Sequence, residues 1–324
     1  MNYKLHYTPV LLSEELVQGK PLRVYLDNKP VVLIRNNSTV NAFFDYCPHR
    51  GAPLSKGFIH DNQIHCPYHG WSFSCSEGTN TNVPVKNSKI SCKLTKVFAL
   101  EKHEIIWLCF SNDGIIPNLT DESPNILLKG SVVANISNVL ENFLEGSHTH
   151  YIHDGLIRSK KAKRHQIKAT FIPTENGFEV HYPEEEAKGF ITKLTPKKFQ
   201  NLRSVATFIY PNIAMLAFYN KENILVSRFE GIFGTGNKKT LYFARVFLDL
   251  GILNSIVIPF AKKLFIKVIN QDIQIMELQE ENLKEFSDLK FTSDETDLVG
   301  EQIFAWMTDS DKKLKSSKQF NVFW

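Results

Sequence analysis

Five cysteines in 324 residues are too few, and odd in number, for the disulfide framework of a secreted domain. The first residues, MNYKLHYTPVLLSEELVQ, carry neither an unbroken apolar stretch nor a small-residue cleavage site, so they do not read as a signal peptide. Together these absences predict a cytoplasmic chain whose cysteines are inert or bind metal. Long hydrophobic runs are also missing. The most apolar segment, LDLGILNSIVIPFAKKLFIKVIN, is interrupted by Asp249, Asn254, Pro259, Lys262 and Lys263, and stable membrane insertion is not expected of it. No strong charge of one sign is present either: 38 basic against 34 acidic residues leave a net charge of +4, too weak and dispersed for nucleic-acid binding. One local exception, RSKKAKRHQIK from Arg158 to Lys168, reads as a solvated loop or as a docking surface for an acidic partner. No GxGxxG opens a helix after a strand, so any reducing equivalents from NAD(P)H must arrive indirectly, through a partner protein.

What is present divides in two. From Leu22 to Phe110 short β-branched or aromatic runs (RVYL, PVVLIR, VNAFFDY, EIIWLCF) alternate with turn sequences such as DNKP and RNNS, which predicts a small antiparallel β domain. A polar stretch rich in Pro, Gly and Asp, Ser111 to Asn125, reads as a linker, and domains over 1–118 and 119–324 follow. The second half begins with a strand candidate, SVVANI, and a helical pattern, NVLENFLEGSHTHYIH. Later come strand candidates ATFIYP, AMLAFYN, ILVSRFEGIF and TLYFARVFLDL and a long helix over about Ala261 to Phe286. The whole reads as an α+β chain with helices packed on an antiparallel sheet. Its many phenylalanines and the GILNSIVIPF segment suggest a hydrophobic pocket with a lid near residues 250–260.

The first chemical constellation lies in CPHRGAPLSKGFIHDNQIHCPYH, residues 47–69, where Cys47 and His49 form CxH and Cys66 and His69 form CxxH. Thiolates and imidazoles in one short stretch point to zinc or to an iron–sulfur cluster. The one-residue gap in CxH is tighter than structural zinc sites use. Two loops with one Cys and one His each would let one iron take both cysteines and the other both histidines. The proline after each cysteine stiffens its loop. Arg50, Gly51, Gly70 and Trp71 are then surrounding and packing residues, and Cys75, Cys92 and Cys109 have no partner at ligand spacing.

The second constellation is NVLENFLEGSHTHYIH, with Asn142, Glu145, His148 and His153 in order. Two neutral imidazoles and one carboxylate on one face of an open site are the donor set of non-haem Fe(II). Five residues on a regular helix are about 140° apart, so the two histidines converge only if the helix breaks, and a break is expected near Thr149 to Ile152. His150 would then face elsewhere. On the late helix Phe265, Ile266, Val268, Ile269, Ile273, Ile275 and Met276 fall on one arc with Asp272 near its middle. A carboxylate on a buried face needs a metal or a cation, and Glu277, at the edge of the arc, is the weaker candidate.

The motifs CPHRGAPL and CPYHGW resemble those of the Rieske non-haem iron oxygenases, and NFLEGSHTHYIH and NQDIQIMELQ resemble the mononuclear-iron motifs of the same family's terminal oxygenases. The resemblance implies an all-β Rieske [2Fe–2S] domain followed by a helix-grip catalytic domain. It implies Cys47, His49, Cys66 and His69 as cluster ligands and His148, His153 and Asp272 as ligands of a mononuclear Fe(II), with Asn142 near that iron. Glu145 would connect the iron to His69 of a neighbouring subunit, a position the family usually fills with aspartate. The implied protein is a mono- or dioxygenase, most like the homotrimeric monooxygenase and demethylase subgroup, that takes electrons from a reductase or ferredoxin and uses O₂ to hydroxylate or demethylate a small, hydrophobic organic substrate. The alternative is a Rieske electron carrier without an active mononuclear iron.

Overall fold

The computed structural model describes residues 5–185, 201–248, 254–286 and 289–324. The chain divides into two compact units, Asn2–Asp121 with Gly234–Leu241, and Glu122–Phe233 with Tyr242–Trp324.

The first unit is built of β1 (Thr8–Leu12), β2 (Leu22–Leu26), β3 (Lys29–Asn36), β4 (Thr39–Phe44), β5 (Phe58–His60), β6 (Gln63–His65), β7 (Ser72–Ser74), β8 (Asn80–Asn82), β9 (Lys96–Lys102) and β10 (Ile105–Cys109). Six strands form one sheet in the order β1-β10-β9-β4-β3-β2, and the four short ones form another, β5-β6-β7-β8. The tight turns use the expected residues: Asp27 and Asn28, and Asp61 and Asn62, take positive φ at two-residue hairpin turns. Alternation on β3 and β4 feeds two cores. Val31, Leu33 and Ala42 join Val10, Leu26 and Leu108 on one side, while Val32, Ile34 and Phe43 join Leu54, Ile64, Phe73 and the cysteines 47, 66 and 75 on the other. The cysteine loops thus stand on a rigid hydrophobic floor.

One glycine fixes the spacing of the small sheet. A Cβ at Gly57 would lie 1.9 Å from the carbonyl oxygen of His65, the residue before Cys66. Gly57→Ala must therefore push β5 away from β6 at the root of a ligand loop. We expect a loss of at least about 2 kcal/mol of stability, read as a lower melting temperature and reduced cluster absorption in purified protein; unchanged values would show that the His65 carbonyl is free to move.

The second unit contains β11 (Ile126–Val132), α1 (Ile136–Leu144), β12 (Gln166–Thr174), β13 (Gly177–Glu185), β14 (Leu202–Ile209), β15 (Ile213–Tyr219), β16 (Leu225–Gly236), β17 (Lys239–Leu248), α2 (Asn254–Glu285), α3 (Leu298–Met307) and β18 (Lys318–Phe323). Its eight strands are ordered β11-β17-β16-β15-β14-β13-β12-β18. The pairings from β18 through β12 to β16 are antiparallel. Leu140 and Leu144 of α1, Ile303 of α3 and Phe171, Phe178 and Phe208 of the sheet share one core. Phe229, Val246, Phe265 and Ile269 share another. Inside the sheet, Glu230 and Arg245 are both about 1 % exposed and pair at 2.7 Å, with Arg228 completing the carboxylate's contacts at 2.8 Å. Two partners for one buried carboxylate meet the requirement that a buried charge be compensated.

The α+β class read from the sequence is the observed one, with differences in detail. The strand expected over SVVANI lies earlier, at β11, because Asn135 is the N-cap of α1 and accepts a hydrogen bond from the Ser137 amide. α2 begins at Asn254, seven residues before Ala261. Of the lid expected near residues 250–260, residues 250–253 lie outside the described residues, and 254–260 are the first turns of α2. The apolar arc of α2 is narrower than its sequence suggests: Ile266 and Ile275 are exposed, while Phe265, Ile269, Ile273 and Met276 pack inward. No helix among the described residues is long and apolar enough to cross a membrane.

Candidate metal centres

In the first unit Cys47 and Cys66 are buried side by side and His49 and His69 lie toward the surface, their rings 4.7 Å apart. Each loop closes on itself in the same way. The Cys47 amide donates to the Ala52 carbonyl and the Gly51 amide to the Cys47 carbonyl; the Cys66 amide donates to the Trp71 carbonyl and the Gly70 amide to the Cys66 carbonyl. Gly51 and Gly70 supply the positive φ, +75° and +70°, that turns each loop back. Burial pushes the Cys47 thiol up to about 11, with the adjacent Cys66 adding to the rise, while the His49 and Arg50 amides pull it down. A thiolate there requires a compensating cation, and the chemistry of two thiols beside two imidazoles fits an iron–sulfur cluster. Trp71 stacks on His49 at 4.4 Å, nearly parallel, and Tyr68 lies against His69 at 3.8 Å. The remaining cysteines form no disulfide; burial pushes Cys75 up to about 11 as well and raises Cys92 and Cys109.

In the second unit three donors converge. Ligand atoms of His148, His153 and Asp272 all lie within 4.8 Å of one another, the one such group among the described residues. The Nε2 atoms of His153 and His148 stand 3.1 and 3.6 Å from Asp272 Oδ1. Yet this buried oxygen accepts no hydrogen bond. An orphaned carboxylate oxygen facing two imidazole nitrogens is the arrangement expected of a set that shares a cation, and the His₂–carboxylate chemistry suits Fe(II). Burial alone would lower the pKa of His153, but the nearby Asp272 carboxylate and Gln271 outweigh it and raise it.

The convergence does not use the break expected near Thr149 to Ile152. α1 already ends at Leu144; Glu145 is extended, and a 3₁₀ turn, Ser147–His150, carries His148. Glu145 sets that turn. Its carboxylate accepts from the Ser147 amide at 2.6 Å, from the Ser147 hydroxyl and, through Oε1, from His148 Nδ1 at 2.5 Å. Burial would raise the Glu145 pKa, but the bonds to His148 and Ser147 and the charge of His148 dominate and lower it. The longer glutamate therefore reaches the ligand histidine of its own chain without difficulty. His150 turns away and is buried against the Ser159 carbonyl. Asn142 lies on α1 one turn before Glu145, and no described contact joins it to the three donors. Glu277 accepts from the Val133 amide at 3.1 Å, which ties α2 to the entry of α1 and removes it from the donor set.

Two features were not visible from spacing. Gln271, the residue before Asp272, meets the back of His153, with Oε1 3.0 Å from Nδ1. Arg158 donates to the Gly146 carbonyl at 2.9 Å and to Thr149 at 2.7 Å while lying over Trp324, so part of the basic run clasps the ligand loop. Lys160, Lys161 and Lys163 remain exposed. A shallow pocket of about 260 Å³ opens beside Glu145, lined by Ser147, Tyr151, Arg164, Tyr182 and Trp324 among others.

Residues 6–99 match the Rieske [2Fe-2S] domain family, so the first unit is a Rieske domain and a [2Fe–2S] cluster belongs to it. The chain as a whole shares its fold with dicamba monooxygenase: the structure of that protein bound to 3,6-dichlorosalicylic acid superposes over 95 % of this chain and 97 % of its own, with a TM-score of 0.80 at 18 % identity. Among curated proteins, cholesterol 7-desaturase of Caenorhabditis elegans is 30 % identical over 156 residues, 44 % of this chain and 36 % of that protein. The vanillate O-demethylase oxygenase subunit of Pseudomonas sp. (strain ATCC 19151) is 29 % identical over 144 residues, 41 % of this chain and 44 % of its own length. The matched stretches thus span less than half of these curated relatives.

Proposed function

We propose that this protein is the oxygenase component of a Rieske system, receiving electrons from a separate reductase or ferredoxin and oxidising a small hydrophobic organic molecule with O₂. The observation that carries this reading is the convergence of His148, His153 and Asp272 in a chain that also holds a Rieske domain. In it, residues 1–118 serve electron storage through Cys47, His49, Cys66 and His69, and residues 119–324 serve the chemistry through His148, His153 and Asp272. When bound, the cluster supplies single electrons and the mononuclear Fe(II) supplies reductive activation of O₂, for hydroxylation or oxidative demethylation. Asp272 contributes the anionic charge that offsets the cation. Glu145 holds the proton on His148 Nδ1 and leaves its Nε2 lone pair free for metal. Seven residues before Asp272, and so on nearly the same side of α2, Phe265 meets Phe229, which meets Phe218, each edge to face; this apolar surface suits a hydrophobic substrate.

Assembly as a homotrimer is part of the reading, since Glu145 would then pass electrons from His69 of a neighbouring copy. The shallow pocket beside Glu145 and the exposure of His69 and Tyr68 support it. The exposed lysines at 160, 161 and 163 offer an acidic donor a landing surface, and cysteines that form no disulfide fit a reducing, cytosolic setting.

The deciding experiment is iron and acid-labile sulfide analysis of anaerobically purified protein with EPR before and after nitric oxide. About three irons and two sulfides per chain, with a nitric-oxide-responsive high-spin Fe(II), are expected. Two irons and two sulfides after iron reconstitution, without that signal, would mean an electron carrier and would end the oxygenase reading.

A further inference from the structure

The two imidazoles of the second site are held from behind by different groups. Behind His148 stands a carboxylate, Glu145; behind His153 stands the carboxamide of Gln271, whose Oε1 lies 3.0 Å from Nδ1. An amide oxygen only accepts, so the shared hydrogen sits on His153 Nδ1 and the lone pair is left on Nε2. That Nε2 is the atom 3.1 Å from Asp272 Oδ1, so its lone pair points to where a shared cation would stand. The His153 side chain is 1 % exposed, so bulk water is not at hand to take over the acceptor's place. Helix geometry makes the arrangement economical: neighbouring residues on α2 project about 100° apart, so Gln271 reaches the back of the ring while Asp272 meets its front.

We propose that Gln271 is a positioning residue for the metal site, fixing the tautomer and the ring plane of His153. This rests on the reading of His148, His153 and Asp272 as an iron site. It makes the two histidines unequal, one backed by an anion and the other by a neutral acceptor. Gln271→Leu preserves approximate volume and removes the acceptor; Gln271→Glu keeps an acceptor that cannot donate.

The test is titration of the cluster-loaded protein with Co(II), followed by the d–d absorption of the new site, with Asp272→Ala as the blank. Gln271→Leu should weaken Co(II) binding about 10–100-fold, and Gln271→Glu should bind within about threefold of the parent or tighter. The visible circular dichroism of the Rieske cluster reports folding of its domain in each variant. Equal binding by the leucine variant and the parent would overturn the proposal, as would an equal loss in both variants, which would mean that Gln271 only packs. Absence of any Asp272-dependent Co(II) binding in the parent would overturn the site reading and this inference together. Should the variants fail to fold, ¹⁵N NMR of the histidines in the Zn(II)-loaded parent still decides: protonated Nδ1 on His153 is expected, and protonated Nε2 would refute it.

Discussion

Replacing His148 with alanine should abolish substrate-dependent oxygen uptake while leaving the visible Rieske spectrum unchanged. The variant removes one of three converging donors and leaves only His153 and Asp272 facing each other. Loss of a group that merely supports a ligand costs about 10–100-fold in metal affinity, so loss of the ligand itself should exceed that. Cys47, His49, Cys66 and His69 belong to a different compact unit, and their loops are closed by hydrogen bonds within that unit. Oxygen uptake with substrate and chemically reduced cluster measures the effect, and a variant that still turns over within about tenfold of the parent would remove His148 from the site.

The second large effect is expected at Glu145. Glu145→Ala takes away the acceptor of the Ser147 amide and of His148 Nδ1 at once, so the 3₁₀ turn loses the hydrogen bond at its first residue and the His148 ring its holder. The rate at which reduced cluster is reoxidised by O₂ in the presence of substrate, followed by stopped flow, should fall about 100-fold or more. Glu145→Asp, which keeps the carboxylate but shortens its reach, should recover part of that rate. Reoxidation at the parent rate in the alanine variant would show that Glu145 stands outside the electron path.

The sequence announces its chemistry more clearly than its geometry. Spacing alone singled out the CxH and CxxH loops and the two histidines after α1, because thiols and imidazoles are rare enough for their placement to carry information. The helical arc favoured Asp272 over Glu277; in the structure Asp272 converges with His148 and His153, and Glu277 accepts from the Val133 amide. The helix end was harder. Glu145 ends α1 by turning its carboxylate onto the following residues, an option that hydrophobic periodicity does not reveal. β12 begins inside the basic run and β18 is a six-residue strand, so neither stands out by composition, and the three-residue strands β5 to β8 are too short for any period to show. Gln271 was invisible for a different reason: its partner is 118 residues away.

The two cluster loops, alike in their hydrogen bonding, differ in what touches their histidines. His49 lies flat against the Trp71 indole, whereas His69 is exposed, with Tyr68 alongside and the edge of the His49 ring at 4.7 Å. A ring clamped beneath an indole is hard to reorient; a ring on the surface is free to meet something outside its own domain. Under the proposed function, an electron leaving the cluster would pass by way of the exposed ring, His69, rather than the stacked one, His49. An oxygenase of the proposed kind, releasing one electron at a time, would gain selectivity from that asymmetry before any partner arrives.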